Sequence, residues 1–235
     1  MSDPSYSAVL GFGFLLGIRH ALDADHLAAV STVLAQRPSL RASSAVGLWW
    51  GVGHTLTLLI VGSVVLALGI HITPQFELIA ESGVGVLLIV LGGSLAVKLC
   101  RERWHMHRHH HDGDAHVHLH SHQRQDDHRH RHWLTDSVRP LCIGMAHGLA
   151  GSAALMLIIL ATTQELGPGL LSIAVFGVGS IAGMMAIGLT ISLPLICSLS
   201  FSRPLFLGLQ GFAGAASVGV GVWMLVKLVF ASTGG

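Results

Sequence analysis

Residues 19–26 read RHALDADH and lie in the middle of an apolar segment that runs from residue 8 to residue 35. The segment is long enough to cross a bilayer, which takes about 20 mostly apolar residues. A charge at the centre of a bilayer costs at least ~2.5 kcal/mol on insertion scales. Because this window holds three charged residues and two histidines, it is predicted to be a functional site rather than a packing element.

The composition around this window is typical of an integral membrane protein. The 235 residues are 51% hydrophobic and 11% charged, whereas a soluble domain has about 25% charged residues. The apolar content excludes a disordered chain, and the formal net charge of +1 argues against a nucleic-acid binder. Continuous apolar runs and 29 glycines favour closely packed helices over a β-barrel.

Six apolar stretches are long enough to span a bilayer, at residues 8–35, 44–70, 80–100, 140–163, 169–198 and 205–230. Lys and Arg are concentrated in the first, third and fifth connections, whereas the second and fourth carry Glu77, Glu81 and Glu165. Basic connections stay in the cytoplasm. The sequence therefore predicts a multi-pass protein of the cell (inner) membrane, with the odd connections in the cytoplasm and both termini outside.

The two halves of the chain resemble each other. Three short motifs recur in order, 126 to 129 residues apart: GIRHAL (17–22) and GMAHGL (144–149), GVGH (51–54) and GVGS (177–180), VKL (97–99) and VKL (226–228). Because each repeat has three spans, the second copy inserts upside down, as in many secondary transporters. The predicted fold is an all-α integral membrane protein with six transmembrane helices arranged as two inverted three-helix repeats.

The chain is accordingly divided into three regions. Residues 1–100 form the first three-helix transmembrane repeat, residues 101–139 a His-rich cytoplasmic loop, and residues 140–235 the second three-helix repeat. Transporters built from inverted repeats bind their substrate near the midplane, where the two copies meet. We therefore expect the first span to meet the fourth, and the second to meet the fifth.

The central window has the composition of a metal site. On a continuous helix, His20, Asp23 and His26 share one face, and Asp25 points elsewhere unless the helix is broken. A break is expected, because broken helices line transporter sites. Imidazole nitrogen and carboxylate oxygen bind borderline divalent ions such as Ni²⁺, Co²⁺ and Zn²⁺. A structural ion pair with Arg19 would explain one carboxylate, but not two imidazoles beside two carboxylates.

Two further histidines lie inside predicted spans, His54 in the second and His147 in the fourth. A lone intramembrane histidine is often a hydrogen-bonded packing residue. Here the repeat makes His147 the copy of His20, while Ser180 replaces His54 in the second half, so an asymmetric site is expected. The predicted metal ligands are His20, Asp23, Asp25, His26, His54 and His147.

A histidine-rich tract occupies the third connection. Residues 105–132 contain twelve of the 17 histidines together with four aspartates, a composition that cannot form a packed core. Clustered imidazoles bind Ni²⁺, Zn²⁺, Co²⁺ and Cu²⁺ with little geometric discrimination. The tract is predicted to bind transition metal on the cytoplasmic side, as a buffer, a collector for export or a sensor.

The window RHALDADH resembles the His-x4-Asp-His signature of the nickel/cobalt transporter family, and WGVGH at residues 50–54 resembles that family's Gly-His motif. The resemblance is specific over residues 11–60. It implies import of Ni²⁺ or Co²⁺, driven by the membrane potential or an ion gradient, with His20, Asp25, His26 and His54 essential. Residues 144–155 are instead similar to the small urease-accessory nickel permeases, a related six-span branch.

The leading hypothesis is a secondary transporter for Ni²⁺ or Co²⁺ that works in uptake. The long histidine-rich loop resembles that of a nickel/cobalt efflux branch, so efflux is the alternative, and a membrane-anchored metal reservoir or sensor is a third interpretation. The sequence lacks a Gly-x4-Gly-Lys-Ser/Thr phosphate loop and a His-Glu-x-x-His protease motif, so no enzyme activity is expected. The expected partners are a divalent transition-metal ion, the lipid bilayer and cytosolic metallochaperones, with no nucleic acid and no resident cofactor.

Overall fold

The computed structural model describes residues 4–36, 38–70, 72–103, 133–151 and 165–233. Within these ranges the chain forms helices and no strand. In chain order the helices are α1 (Pro4–His20), α2 (Ala24–Ala35), α3 (Leu40–Leu68), α4 (Pro74–Arg103), α5 (Trp133–Ala150), α6 (Leu166–Phe201) and α7 (Arg203–Thr233).

Four of these helices are long and apolar enough to cross a membrane: Leu40–Leu68, Pro74–Arg101, Leu166–Leu199 and Arg203–Phe230. The bent pair formed by α1 and α2 makes a fifth candidate span. Large apolar side chains point away from the protein, with Phe12 exposed by 62% and Phe212 by 74%. Such outward apolar surface suits lipid rather than water. The chain is therefore an all-α integral membrane protein.

The first predicted span is broken, as expected for a helix that lines a transporter site. Residues 21–23 separate α1 from α2, and the two parts are bent by 54°. The second, third, fifth and sixth predicted spans correspond to α3, α4, α6 and α7. The fourth begins within α5, but residues 152–163 lie outside the described residues, and so does the histidine-rich tract at residues 105–132.

Glycine brings α5 against α3. Gly144 and Gly148 of α5 face the backbone of Trp50 and His54 on α3, and a Cβ atom on Gly148 would lie 2.6 Å from the carbonyl oxygen of His54. Gly17 brings α1 equally close to the backbone of α6. Membrane helices lack a hydrophobic drive to associate and rely on such close contacts. These contacts set the spacing of the helices that carry the intramembrane histidines.

The half-helix α2 lies against α7, α4 and α6. Its Ala29, Val30 and Leu34 are at most 1% exposed, and they form one buried cluster with Leu88 of α4 and Met184 of α6. The core of the protein thus surrounds α2, so this short helix is placed by its neighbours rather than by the chain alone.

The two halves of the chain meet along several helices in the described part of the chain. The expected contact between the second and fifth spans is present, because α3 packs along α6. Within the described residues, α1 also packs along α6 and α5 along α3. The first and fourth spans meet through side chains at the break, where the His26 and His147 rings are 5.1 Å apart.

Candidate metal site

The break between α1 and α2 positions the first histidine pair. His20 is the last residue of α1, and His26 lies in the first turn of α2. The turn closes with hydrogen bonds from the Leu22 and Asp23 amides to carbonyls three residues earlier, at 2.9 and 3.0 Å, which is the tight spacing of a 3₁₀ turn. As a result the two imidazole rings lie 4.8 Å apart and nearly perpendicular.

Four histidines converge at this turn. A ring nitrogen of each of His20, His26 and His54 lies within 4.8 Å of the others. The His20 and His54 ring centres are 5.0 Å apart, and those of His26 and His54 are 5.4 Å apart. His147 joins the group through His26. The structure therefore brings together the four imidazoles that the sequence placed in three separate spans.

Three of these four imidazoles are buried and have ring nitrogens without hydrogen-bond partners. His26, His54 and His147 are at most 1% exposed. Nε2 of His26, both ring nitrogens of His54 and Nε2 of His147 have no hydrogen-bond partner. Buried polar atoms are normally paired, and leaving one unpaired costs about 1–3 kcal/mol. A cluster of unpaired nitrogen atoms is what a bound divalent metal would satisfy, since imidazole is a ligand for such ions.

One nitrogen of His147 has a fixed role. Its Nδ1 atom lies 3.0 Å from the carbonyl oxygen of Ile143. A carbonyl oxygen can only accept, so Nδ1 carries the proton and Nε2 keeps its lone pair. Metal-binding histidines in proteins are commonly oriented in this way by a hydrogen bond from the second ring nitrogen.

The two carboxylates occupy different positions. Oδ2 of Asp23 lies 2.8 Å from Nδ1 of His20, and the Asp23 side chain is 54% exposed. Oδ1 of Asp25 lies 3.4 Å from Nδ1 of His26, and the Asp25 side chain is 25% exposed. Oxygens of both carboxylates and a nitrogen of His26 lie within 4.8 Å of one another. His26 is thus common to the carboxylate group and to the histidine cluster.

The alternative explanation for one carboxylate, a structural ion pair with Arg19, does not agree with the structure. Asp23 and Asp25 approach His20 and His26, and Arg19 is exposed. All six predicted site residues therefore lie around the break, with Asp23 at its exposed side.

Sequence reasoning did not select Trp50, although it lies at the site. Its side chain is 0% exposed, its ring centre is 5.0 Å from that of His147, and its Nε1 atom has no partner. The sequence spacing could have indicated it, because Trp50 precedes His54 by four residues and therefore shares its helix face. The Ser180 hydroxyl, at the position that matches His54, is also buried and unpaired.

Comparisons with known proteins give a consistent result. Residues 7–200 match the family described as high-affinity nickel-transport protein, NicO. The chain is 36% identical over 191 residues to the urease accessory protein UreH of Bacillus sp. (strain TB-90), covering 81% of this chain and 79% of that protein. It is 37% identical over 90 residues to a high-affinity nickel transport protein of Cupriavidus necator, covering 38% of this chain and 24% of that protein. No solved structure shows significant similarity to the chain.

Proposed function

Because the chain belongs to the high-affinity nickel-transport family, we propose that it is a secondary transporter that moves Ni²⁺, and Co²⁺ as a second substrate, across the cell membrane. The family consists of transport proteins, so the chain is not an enzyme. The observation that carries the proposal is the cluster of buried, unpartnered imidazole nitrogens at a break in a membrane-spanning segment.

In this proposal the ion is bound by His20, Asp25, His26 and His54. Three of these residues supply imidazole, and Asp25 supplies negative charge that offsets part of the charge of the dication. His147 adds a fourth imidazole, supported by its unpaired Nε2 atom. Asp23 orients the His20 ring, supported by the 2.8 Å approach of the two side chains.

We further propose six transmembrane helices in two inverted repeats, at residues 1–100 and 140–235, with the histidine-rich loop at 101–139 between them. The contacts between helices support this arrangement. In the two repeats α1 corresponds to α5, α3 to α6 and α4 to α7. If each helix is replaced by its counterpart, the contact between α1 and α6 becomes the contact between α5 and α3. The contacts between α3 and α6 and between α4 and α7 join counterpart helices, so the same exchange leaves them unchanged. Such a set of contacts is expected when two halves are related by a two-fold axis.

Transport then proceeds by alternating access. The ion approaches from outside, where Glu77, Glu81 and Glu165 raise the local cation concentration. It loses water as it is bound at the break, and rocking of the two repeats exposes it to the cytoplasm. In this orientation both termini lie outside the inner membrane, and the histidine-rich loop and the receiving metallochaperones are cytoplasmic.

Efflux is the second candidate function, and the histidine-rich tract is the feature that favours it. Twelve histidines within residues 105–132 would collect cytosolic ions before export. Intact cells distinguish the two directions. Uptake predicts that cells expressing the protein accumulate radioactive Ni²⁺ faster than control cells, whereas net loss from preloaded cells would reverse the proposed direction.

Flux into proteoliposomes tests the function itself. Purified protein is reconstituted, and the fluxes of Ni²⁺, Co²⁺ and Zn²⁺ are compared. We expect flux in the order Ni²⁺, then Co²⁺, and its loss in the His54→Ala variant. Ni²⁺ flux that is equal for wild type and His54→Ala would show that the buried cluster is not the transport site.

A further inference from the structure

The half-helix that carries Asp25 and His26 is capped by a residue from another helix. The amide nitrogen Nε2 of Gln210, on α7, donates to the carbonyl oxygen of Ala35 at 2.5 Å. Ala35 is the last residue of α2 and is 0% exposed, and Gln210 is 5% exposed. Carbonyls in the last turn of a helix lack partners within the helix, so Gln210 satisfies a group that would otherwise be buried and unpaired.

A second hydrogen bond joins the same two helices one turn away. The single hydroxyl proton of Thr32 is shared between the carbonyl oxygen of Ala213 on α7, at 3.0 Å, and that of Ala28 on its own helix, at 2.9 Å. Thr32 and Ala35 are three residues apart on α2, and Gln210 and Ala213 are three residues apart on α7. The two bonds therefore lie side by side and fix both the register and the rotation of α2 against α7.

The rotation of α2 decides where its site residues point. His26 is nine residues before Ala35, which is about 14 Å along a helix. Each residue of slippage in a helix turns a side chain by about 100°, so a change of register at Ala35 would turn His26 away from His54. The break at residues 21–23 leaves α2 without a helical connection to α1, and the cap on Ala35 holds the opposite end.

We propose that Gln210 is a positioning residue for the metal site, because its amide holds α2 in the rotation that directs His26 toward His20 and His54. This inference rests on the proposed function. It assigns to α7 a role in substrate affinity, although in the described part of the chain none of the cluster histidines lies on that helix.

Gln210→Met tests the proposal, because methionine keeps the length of the side chain and removes the amide donor. Gln210 also borders a half-open groove of about 210 Å³ between α4 and α7, so the new side chain has room. Ser217→Ala is the matched control. The Ser217 hydroxyl is also buried on α7 and donates across helices, but to the Leu88 carbonyl of α4 at 2.9 Å.

The measurement is the concentration dependence of Ni²⁺ flux into proteoliposomes containing the full chain. A buried hydrogen bond contributes about 1 kcal/mol, which corresponds to about a fivefold change in affinity. We therefore expect Gln210→Met to raise KM for Ni²⁺ about fivefold with kcat nearly unchanged, and Ser217→Ala to leave KM unchanged. Loss of folded protein alone would lower the maximal flux of either variant without changing KM.

Thr32→Val provides a second test if Gln210→Met does not fold, because it removes the neighbouring bond from the α2 side. It should raise KM in the same direction. The proposal is overturned if KM is unchanged in the variants that fold, or if Ser217→Ala changes it equally. Failure of the proposed function would have a different result, namely no Ni²⁺ flux by the wild type or a wild-type flux that His54→Ala does not reduce.

Discussion

The Nδ1 atom of His147 lies 3.0 Å from the carbonyl oxygen of Ile143, one turn earlier on α5. This hydrogen bond fixes the tautomer of one imidazole in the cluster and leaves its Nε2 atom available. His54 differs, since neither of its ring nitrogens has a hydrogen-bond partner, and the Nδ1 atom of His26 has only the longer 3.4 Å contact with Asp25. His147 is thus the most strictly oriented of the three fully buried rings.

His147→Ala should raise KM for Ni²⁺ at least tenfold, because it removes an oriented imidazole from the cluster. The measurement is flux into proteoliposomes over a range of Ni²⁺ concentrations. Val138→Ala is a suitable control, because Val138 lies on the same helix and is 49% exposed. Wild-type KM in the His147 variant would assign this residue to packing.

Asp23→Ala should weaken Ni²⁺ transport by about 10–100-fold, the usual effect of losing a group that orients a ligand. The carboxylate lies 2.8 Å from Nδ1 of His20, and without it the ring loses its orientation but not its nitrogen. Asp25→Ala should abolish transport, since it removes a proposed ligand. If both variants lose transport to the same extent, Asp23 acts as a ligand rather than as an orienting group.

Gly148→Ala should lower both thermal stability and flux. Its Cβ atom would lie 2.6 Å from the carbonyl oxygen of His54, and because this atom belongs to the backbone, α5 and α3 must separate. Overpacking of this kind costs about 1–3 kcal/mol. Gly219→Ala is the matched control, since nothing lies within 4 Å of the added atom, and it should behave as wild type. Normal unfolding temperature and flux in Gly148→Ala would contradict the proposed close contact.

Trp50→Phe should destabilise the protein much less than Trp50→Ala. Phenylalanine keeps a ring beside His147 and removes an indole N–H that is buried without a partner, which relieves a desolvation cost. Trp50→Ala should instead destabilise by about 3–5 kcal/mol, because it leaves a cavity. The thermal unfolding of both variants, measured without added metal, checks this pair of outcomes. A destabilisation by Trp50→Phe as large as that by Trp50→Ala would contradict this account of the unpaired N–H.

Deletion of residues 105–132 should leave Ni²⁺ flux in place, whereas His54→Ala should abolish it. The reason is that the proposed transport site lies in the membrane-spanning helices and contains none of the twelve histidines of the tract. Flux through the deleted chain, compared with that of the full chain, is the measurement. Loss of transport after the deletion, with normal amounts of folded protein, would favour the interpretation in which the tract is the functional metal site.

The sequence by itself determined that the protein is helical and lies in a membrane, and it predicts that residues 19–26 carry its chemistry. It also predicted the break that the structure places at residues 21–23. These features could be read from the sequence because charge in hydrocarbon is costly, so charged residues inside a long apolar segment indicate a functional site. The match to nickel-transport proteins agrees with the resemblance carried by the same window.

Only the tertiary structure decided how the pieces meet. It placed α1 along α6 and α5 along α3, showed which nitrogen of His147 is engaged, and joined Gln210 to the end of α2. No periodicity encodes these contacts, because their partners include residues on different helices and, for Gln210 and Ala35, residues separated by 175 positions. They depend on distances of a few ångströms between backbones, which glycine positions allow but do not specify, and they exist only once the helices have packed.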